Sequence, residues 1–153
     1  MQQITITIDK VELLKTVESL LWKYGSATEV ADNYKQVYNT KAEHGANAVD
    51  NRVLSDSFAT RTKLAADMMR DFIQGNIAYD AETGSPTITL SMPDRWRGRL
   101  ATLTAKLVKY VSDGMMADWL TATAPSEAPM YSTQLQQDET DIKVELYAKG
   151  TPQ

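Results

Sequence analysis

The 153-residue chain has no cysteine, one histidine, two phenylalanines and no long apolar run. Each scarcity removes a class of function. Without cysteine there is no disulfide, no thiolate nucleophile and no Cys-based zinc site, which fits a protein made in a reducing cell. With His44 alone, no pair of imidazoles is available for metal binding, and no Asp or Glu stands near it at a ligand spacing. The bland reading of His44, a solvated loop histidine, is preferred. No stretch approaches the ~18 uninterrupted apolar residues of a membrane span. The start, MQQITITIDK, has neither a basic region nor an apolar one, so the expectation is a protein without a standard secretion signal or membrane contact. A G-x-x-x-x-G-K-[ST] loop, a G-x-G-x-x-G turn and a G-x-S-x-G elbow are all missing, leaving phosphate-cradle and nucleophile-elbow chemistry unsupported. A net charge of -4 argues against general nucleic-acid binding.

The composition that remains, 42% hydrophobic and 24% charged, is that of a globular domain, and the length corresponds to about one. A local plan occurs twice, in which a short alternating strand runs almost directly into a long amphipathic helix. Gln3–Ile8 sets Ile4, Ile6 and Ile8 on one face, and Asp9 with Glu12 forms a capping-box-like start for a helix over Lys10–Tyr24. Its predicted inner stripe is Val11, Leu14, Val17, Leu21 and Tyr24, flanked by Leu13 and Leu20, and Gly25 is its predicted cap. Thr87–Ser91 repeats the strand with Ile88 and Leu90 on one face. A helix beginning near Met92 and running to about Leu120 turns Trp96, Leu100, Leu103, Leu107, Tyr110, Val111 and Met115 inward. Gly114 marks a place where a neighbour approaches closely. Each unit supplies a single strand, so the sheet must be completed by distant segments or by another chain.

Between these units the spacing of Ser26 and Glu29 predicts a second helix carrying Val30, Tyr34, Val37 and Tyr38. A loop is expected over Asn39–Asp50. A third helix follows with Leu54, Phe58, Ala65, Met68 and Phe72, widened by Leu64 and Met69 and closed at Gly75. NIAYDAETGSP is the clearest loop. After the break at TATAPSEAP the end of the chain reads two ways. Ile142, Val144 and Leu146 alternate as in a strand, whereas Tyr131, Leu135, Ile142 and Leu146 make a helical stripe, which the helix formers of QLQQDETDIK favour. The expected fold is mainly α: a single domain over residues 1–153, a bundle of about four to five helices with a small β element from the N-terminal strand and a strand near 87–91, and a mobile or docking tail at about 147–153.

Candidate chemistry is sparse. Arg95, Arg99, Lys106 and Lys109 form a basic stripe on the long helix, read as a solvated face before an anion site. Asp138, Glu139 and Asp141 are assigned to solubility and capping, since paired acid–base work needs groups brought together in a cleft. Met68–Met69 and Met115–Met116 are read as core filling. No catalytic, metal-binding or cofactor-binding residue is assigned.

The order of elements, with an Ile-rich strand into a helix, the passage TITLSMPDRW, a long helix ending MMADWL and a final segment ending ELYAKGTP, resembles the small neck proteins of tailed phages, including those in prophages of gut bacteria. That resemblance implies a non-enzymatic head-to-tail connector, or adaptor: a virion subunit assembled in the host cytoplasm that forms a homo-oligomeric ring beneath the portal protein, commonly of twelve copies. It would contact other neck or tail proteins and meet DNA only as passing cargo. It further implies that the chain end docks on the portal, which here corresponds to Leu146, Tyr147, Lys149, Thr151, Pro152 and Gln153. The alternative reading is a soluble cellular module whose helical groove takes a peptide or partner helix.

Overall fold

The computed structural model describes residues 2–27, 48–123, 125–126 and 128–148. Among them are four helices and a three-stranded antiparallel sheet, so the fold is mainly α with a small β element. The first strand, β1 (Gln2–Thr7), buries Ile6 and half-buries Ile4, and Ile8, one residue past its end, is buried too. Asp9 stops it and caps α1 (Lys10–Ala27): the Glu12 amide donates to Asp9 Oδ1 at 3.1 Å. The Lys10 amide donates to Ser85 Oγ at 3.0 Å, tying the start of this helix to a segment 75 residues away.

Two expectations for α1 are corrected. Its buried row is Leu13, Val17 and Leu21, an i, i+4, i+8 line, while Val11 and Leu20 stand exposed. The direction of α1 is set by the elements it covers, and they select one edge of a broad apolar band. Gly25 does not end the helix, which runs on to Ala27; among the described residues the glycines with positive φ are Gly75 and Gly84, so Gly25 does not take the left-handed conformation of a glycine cap. No second helix starts at Ser26, since Ser26 and Ala27 continue α1; Val30, Tyr34, Val37 and Tyr38, the side chain of Tyr24, and His44 lie outside the described residues. The next helix, α2 (Ala48–Met68), takes the last three residues of the expected Asn39–Asp50 loop. It buries Leu54, Phe58, Thr62, Ala65 and Ala66, and exposes Leu64.

After α2 a set of turns through Phe72 leads Ile73 into a single bridge with Leu90, so the helix closes before Gly75, which then takes φ 75°. The segment read as a loop contains β2 (Ala78–Tyr79), paired antiparallel with β3 (Pro86–Met92). Asp80 closes this hairpin, its Oδ1 accepting from the amides of Glu82 at 2.8 Å and Thr83 at 2.9 Å, and Gly84 supplies the positive φ. The sheet order is β1-β3-β2, with Ile4 opposite Leu90 and Ile6 opposite Ile88. The sheet is thus completed within the chain. Its inner face holds Ile6, Ile8, Ile88, Leu90 and Met92, and its outer face carries Gln3, Thr5, Thr7, Thr87, Thr89 and Ser91.

The long helix, α3 (Leu100–Thr123), starts eight residues later than its expected origin near Met92. The intervening residues turn, with the Trp96 amide donating to Pro93 O at 2.9 Å and Gly98 lying directly under the Trp96 ring. The amides of Arg97 and Arg99 are taken by the end of the last helix, and local capping signals lose to those long-range bonds. Trp96 is still buried, but from the loop, and Leu100 is exposed. This helix is the centre of the molecule, touching α1, α2, β1 and the last helix and burying Leu103, Leu107, Tyr110, Val111, Met115, Met116 and Leu120. Each fully buried aliphatic side chain contributes roughly 1.5–3 kcal/mol of transfer free energy. The chain end is a helix, α4 (Ala128–Leu146), with Pro129 tolerated in its first turn. Ile142 and Leu146 are buried whereas Val144 is 64% exposed, which the strand reading, with all three on one face, does not allow. No helix among the described residues is long and apolar enough to cross a membrane.

Candidate functional site

The chain end is anchored by a clamp of backbone and side-chain bonds. The indole of Trp96 donates through Nε1 to Glu145 O at 2.9 Å, and the Arg97 amide donates to Ala148 O at 2.8 Å. Glu145 itself receives the Arg99 amide at 2.6 Å, and its other oxygen lies 3.6 Å from Lys106 Nζ. These bonds fill carbonyls that a helix C-terminus otherwise leaves without partners. Tyr147 lies edge-on to Phe72, ring centroids 5.3 Å apart.

Of the residues corresponding to a docking segment, Leu146 and Tyr147 are described. Leu146 is 1% exposed and belongs to the core, so it is an anchor and offers no contact surface, a correction that follows from the helical period. Tyr147 is 47% exposed. The remaining four, Lys149, Thr151, Pro152 and Gln153, lie outside the described residues, as does most of the segment expected to form the tail; Ala148 is held by Arg97. The sequence reading passed over Val144, one turn before Tyr147, because strand alternation placed it with Ile142 and Leu146. The helical spacing of those two is the signal that turns Val144 outward. Met130, also exposed, stands on the outer side of the same helix four turns away.

Of the basic stripe, Arg95 and Arg99 precede the long helix and are exposed, as is Lys109, so the solvated face holds in part, but Lys106 and Lys109 are also engaged by the last helix. Lys106 donates to Asp141 O at 3.2 Å, and Lys109 Nζ lies 2.9 Å from Asp113 Oδ2 and 2.8 Å from Asp138 Oδ1. Asp138, assigned above to solubility and capping, is 2% exposed and sits on the inner row of α4 with Ile142 and Leu146. Gln134 Nε2 also donates to its Oδ1, while Oδ2 is buried without a hydrogen bond unless Asp113 supplies a proton. Burial, reinforced by the Asp138 carboxylate, pushes the Asp113 carboxyl up to about 6. Burial also acts to raise Asp138, but the bonds from Asp113, Lys109 and Gln134 outweigh it and hold that group below the ordinary carboxylate range. Lys109 is weakened as an acid: burial lowers its pKa, and its two carboxylate partners more than reverse that. The cluster is a one-proton clip between α3 and α4.

A second polar contact pins α2 to α3. Arg61 is bidentate on Asp118, at 3.1 Å and 2.6 Å, and Ser57 Oγ donates to the same carboxylate at 2.7 Å. Arg61 crosses Gly114 so closely that a Cβ there would collide with its side chain, which bears out the close approach expected at that glycine.

Two concave features remain. One, of about 300 Å³, lies between α1 and α3 and is lined by Leu13, Thr16, Ala105 and Val108, with Glu12 and Lys109 at its rim. The other, of about 410 Å³, lies beside β2 and is lined by Lys63, Asp67, Arg70, Ile77 and Tyr79. Among the described residues no group of three metal-ligating side chains converges. Compared with family models, with curated proteins and with solved structures, the chain matches none.

Proposed function

We propose that this chain is a structural virion protein of a tailed phage, a head-to-tail connector that acts by binding and carries out no catalysis. In this reading a ring of copies sits beneath the portal protein, meets other neck or tail proteins below, and passes DNA as cargo. The observation that carries it is the end of α4. Tyr147, within the segment the resemblance implies for portal docking, and Val144, one turn before it, present apolar surface to solvent on a helix end held by Trp96, Arg97 and Arg99. A surface fixed in this way loses little conformational freedom on binding, which favours affinity.

The test is the mass in solution, by light scattering on a sizing column, of the protein mixed with the portal encoded beside it. A discrete large complex is expected, lost with Val144→Asp and weakened with Tyr147→Ser while the far-UV CD spectrum is unchanged. Failure of the portal to shift the mass overturns the reading. The alternative of a cellular module that takes a peptide or partner helix is favoured by the groove between α1 and α3, whose apolar floor lies between an acidic and a basic rim. A short peptide bound there, with the portal ignored, would establish it instead.

A further inference from the structure

The two edges of the sheet are treated differently. The β2 edge is two residues long and turns at once into a segment bearing Asp80 and Glu82, a short charged edge of the kind that discourages further pairing. The β1 edge is six residues, Gln2–Thr7, with no charge, no proline and a one-to-one register against β3 that leaves no bulge. No described residue pairs with its outer side. The bonds of β3 away from β1, Gln74 N to Thr89 O and Ser91 N to Phe72 O, use its odd-numbered residues. Its even-numbered residues therefore face β1, and in the observed register they bond to Ile4 and Ile6. The amides and carbonyls of Gln3, Thr5 and Thr7 consequently point out of the sheet edge.

We propose that the free subunit pairs with a second copy of itself along this edge, antiparallel, with the two-fold axis at Thr5. The strand is self-complementary about that residue. Gln3 falls opposite the second copy's Thr7, Thr5 opposite Thr5 and Thr7 opposite Gln3, so every outward amide and carbonyl of the three residues finds a partner in one register. On the inner face Ile4, the one isoleucine of the strand left half-exposed, falls opposite the second copy's Ile6 and is covered. On the outer face the Thr5–Thr5 pair extends the cross-strand row of Thr5 and Thr89. Registers centred on Ile4 or Ile6 leave one outward residue unpaired. The result is a continuous six-stranded sheet. A two-fold contact is not the head-to-tail contact between neighbours in a cyclic ring. The pairing is thus a state of the free subunit that stands independently of the connector reading.

The experiment is mass determination of the full chain without portal, over a concentration series, for the wild type and three variants. The wild type is expected at the mass of two chains. Thr5→Lys, which sets like charges face to face on the axis, and Thr5→Pro, which removes an outward amide and no bond to β3, are expected at the mass of one chain with unchanged far-UV CD. Thr5→Val, which keeps the edge backbone, is expected to remain paired. A wild type that is monomeric at the highest concentration, a species larger than two chains, or pairing that survives both Thr5→Lys and Thr5→Pro overturns the proposal. Portal binding is read in a separate mixture, so loss of one result leaves the other standing.

Discussion

At the scale of single residues, Asp113 and Asp138 make the molecule sensitive to pH. The Asp113 carboxyl titrates at about 6 in the fold against an ordinary 3.8, so its contribution is complete below the lower value and is lost as pH rises through the upper one. Asp138 is shifted the other way; its contribution is present above the ordinary value and is lost as pH falls below it. The clip is therefore tightest with one proton shared, between about pH 4 and 6. Raising the pH from 5 to 7.5 is expected to cost roughly 1 kcal/mol after solvent screening, about 2–4 °C in Tm for a chain of this size. Asp113→Asn, which removes the titrating carboxyl, is expected to flatten that slope, as thermal unfolding at the two pH values would show. The sequence held one clue: Asp138 lies four and eight residues before Ile142 and Leu146, a carboxylate on an apolar row. Its partner Asp113 was not legible, because nothing in the chain order says that α4 lies against that turn of α3.

At the scale of elements, the α2–α3 contact turns on one missing methyl group. Arg61 crosses Gly114 to reach Asp118, and a side chain at position 114 forces it off that carboxylate. Gly114→Ala is expected to destabilise by about 1–2 kcal/mol, the lost pair outweighing the roughly 1 kcal/mol that alanine gains over glycine in a helix. In an Arg61→Ala background the same change is expected to be stabilising, and denaturant unfolding of the four proteins in this cycle gives the coupling. Periodicity alone located this glycine in the long helix. It did not locate the start of that helix, since Ser91 and Asp94 form a capping pattern that yields to the bonds Arg97 and Arg99 make with the end of α4.

At the scale of the whole molecule, one hydrophobic core runs from Ile6 to Leu146 and includes buried side chains from all four helices and from β1 and β3. Unfolding is expected to be a single transition, with the fluorescence of buried Trp96 and Trp119 and the far-UV CD signal coincident in denaturant. Two separated transitions would mean that α4 folds apart from the rest. This unity also fixes what each surface is free to do. With Leu146 in the core and Lys106 and Lys109 engaged by α4, the described surfaces open to partners include the end of α4, the β1 edge, the groove beside α1 and the concave feature beside β2.

The sequence by itself determined the class of the fold and the faces of its strands, because apolar residues two apart on a strand or three to four apart on a helix must share a side, and burying that side is the largest favourable term in folding. It determined that Asp9 starts a helix and that Gly114 meets a neighbour. Only the tertiary structure decided which edge of α1 is buried, that the last segment is a helix turning Val144 outward, that Lys106 and Lys109 are engaged by Glu145, Asp138 and the carbonyl of Asp141, and that β3 lies between the N-terminal strand and the short strand that precedes it in the chain. Those outcomes depend on contacts between residues tens of positions apart, whose free energies exceed the few tenths of a kcal/mol by which local propensities differ.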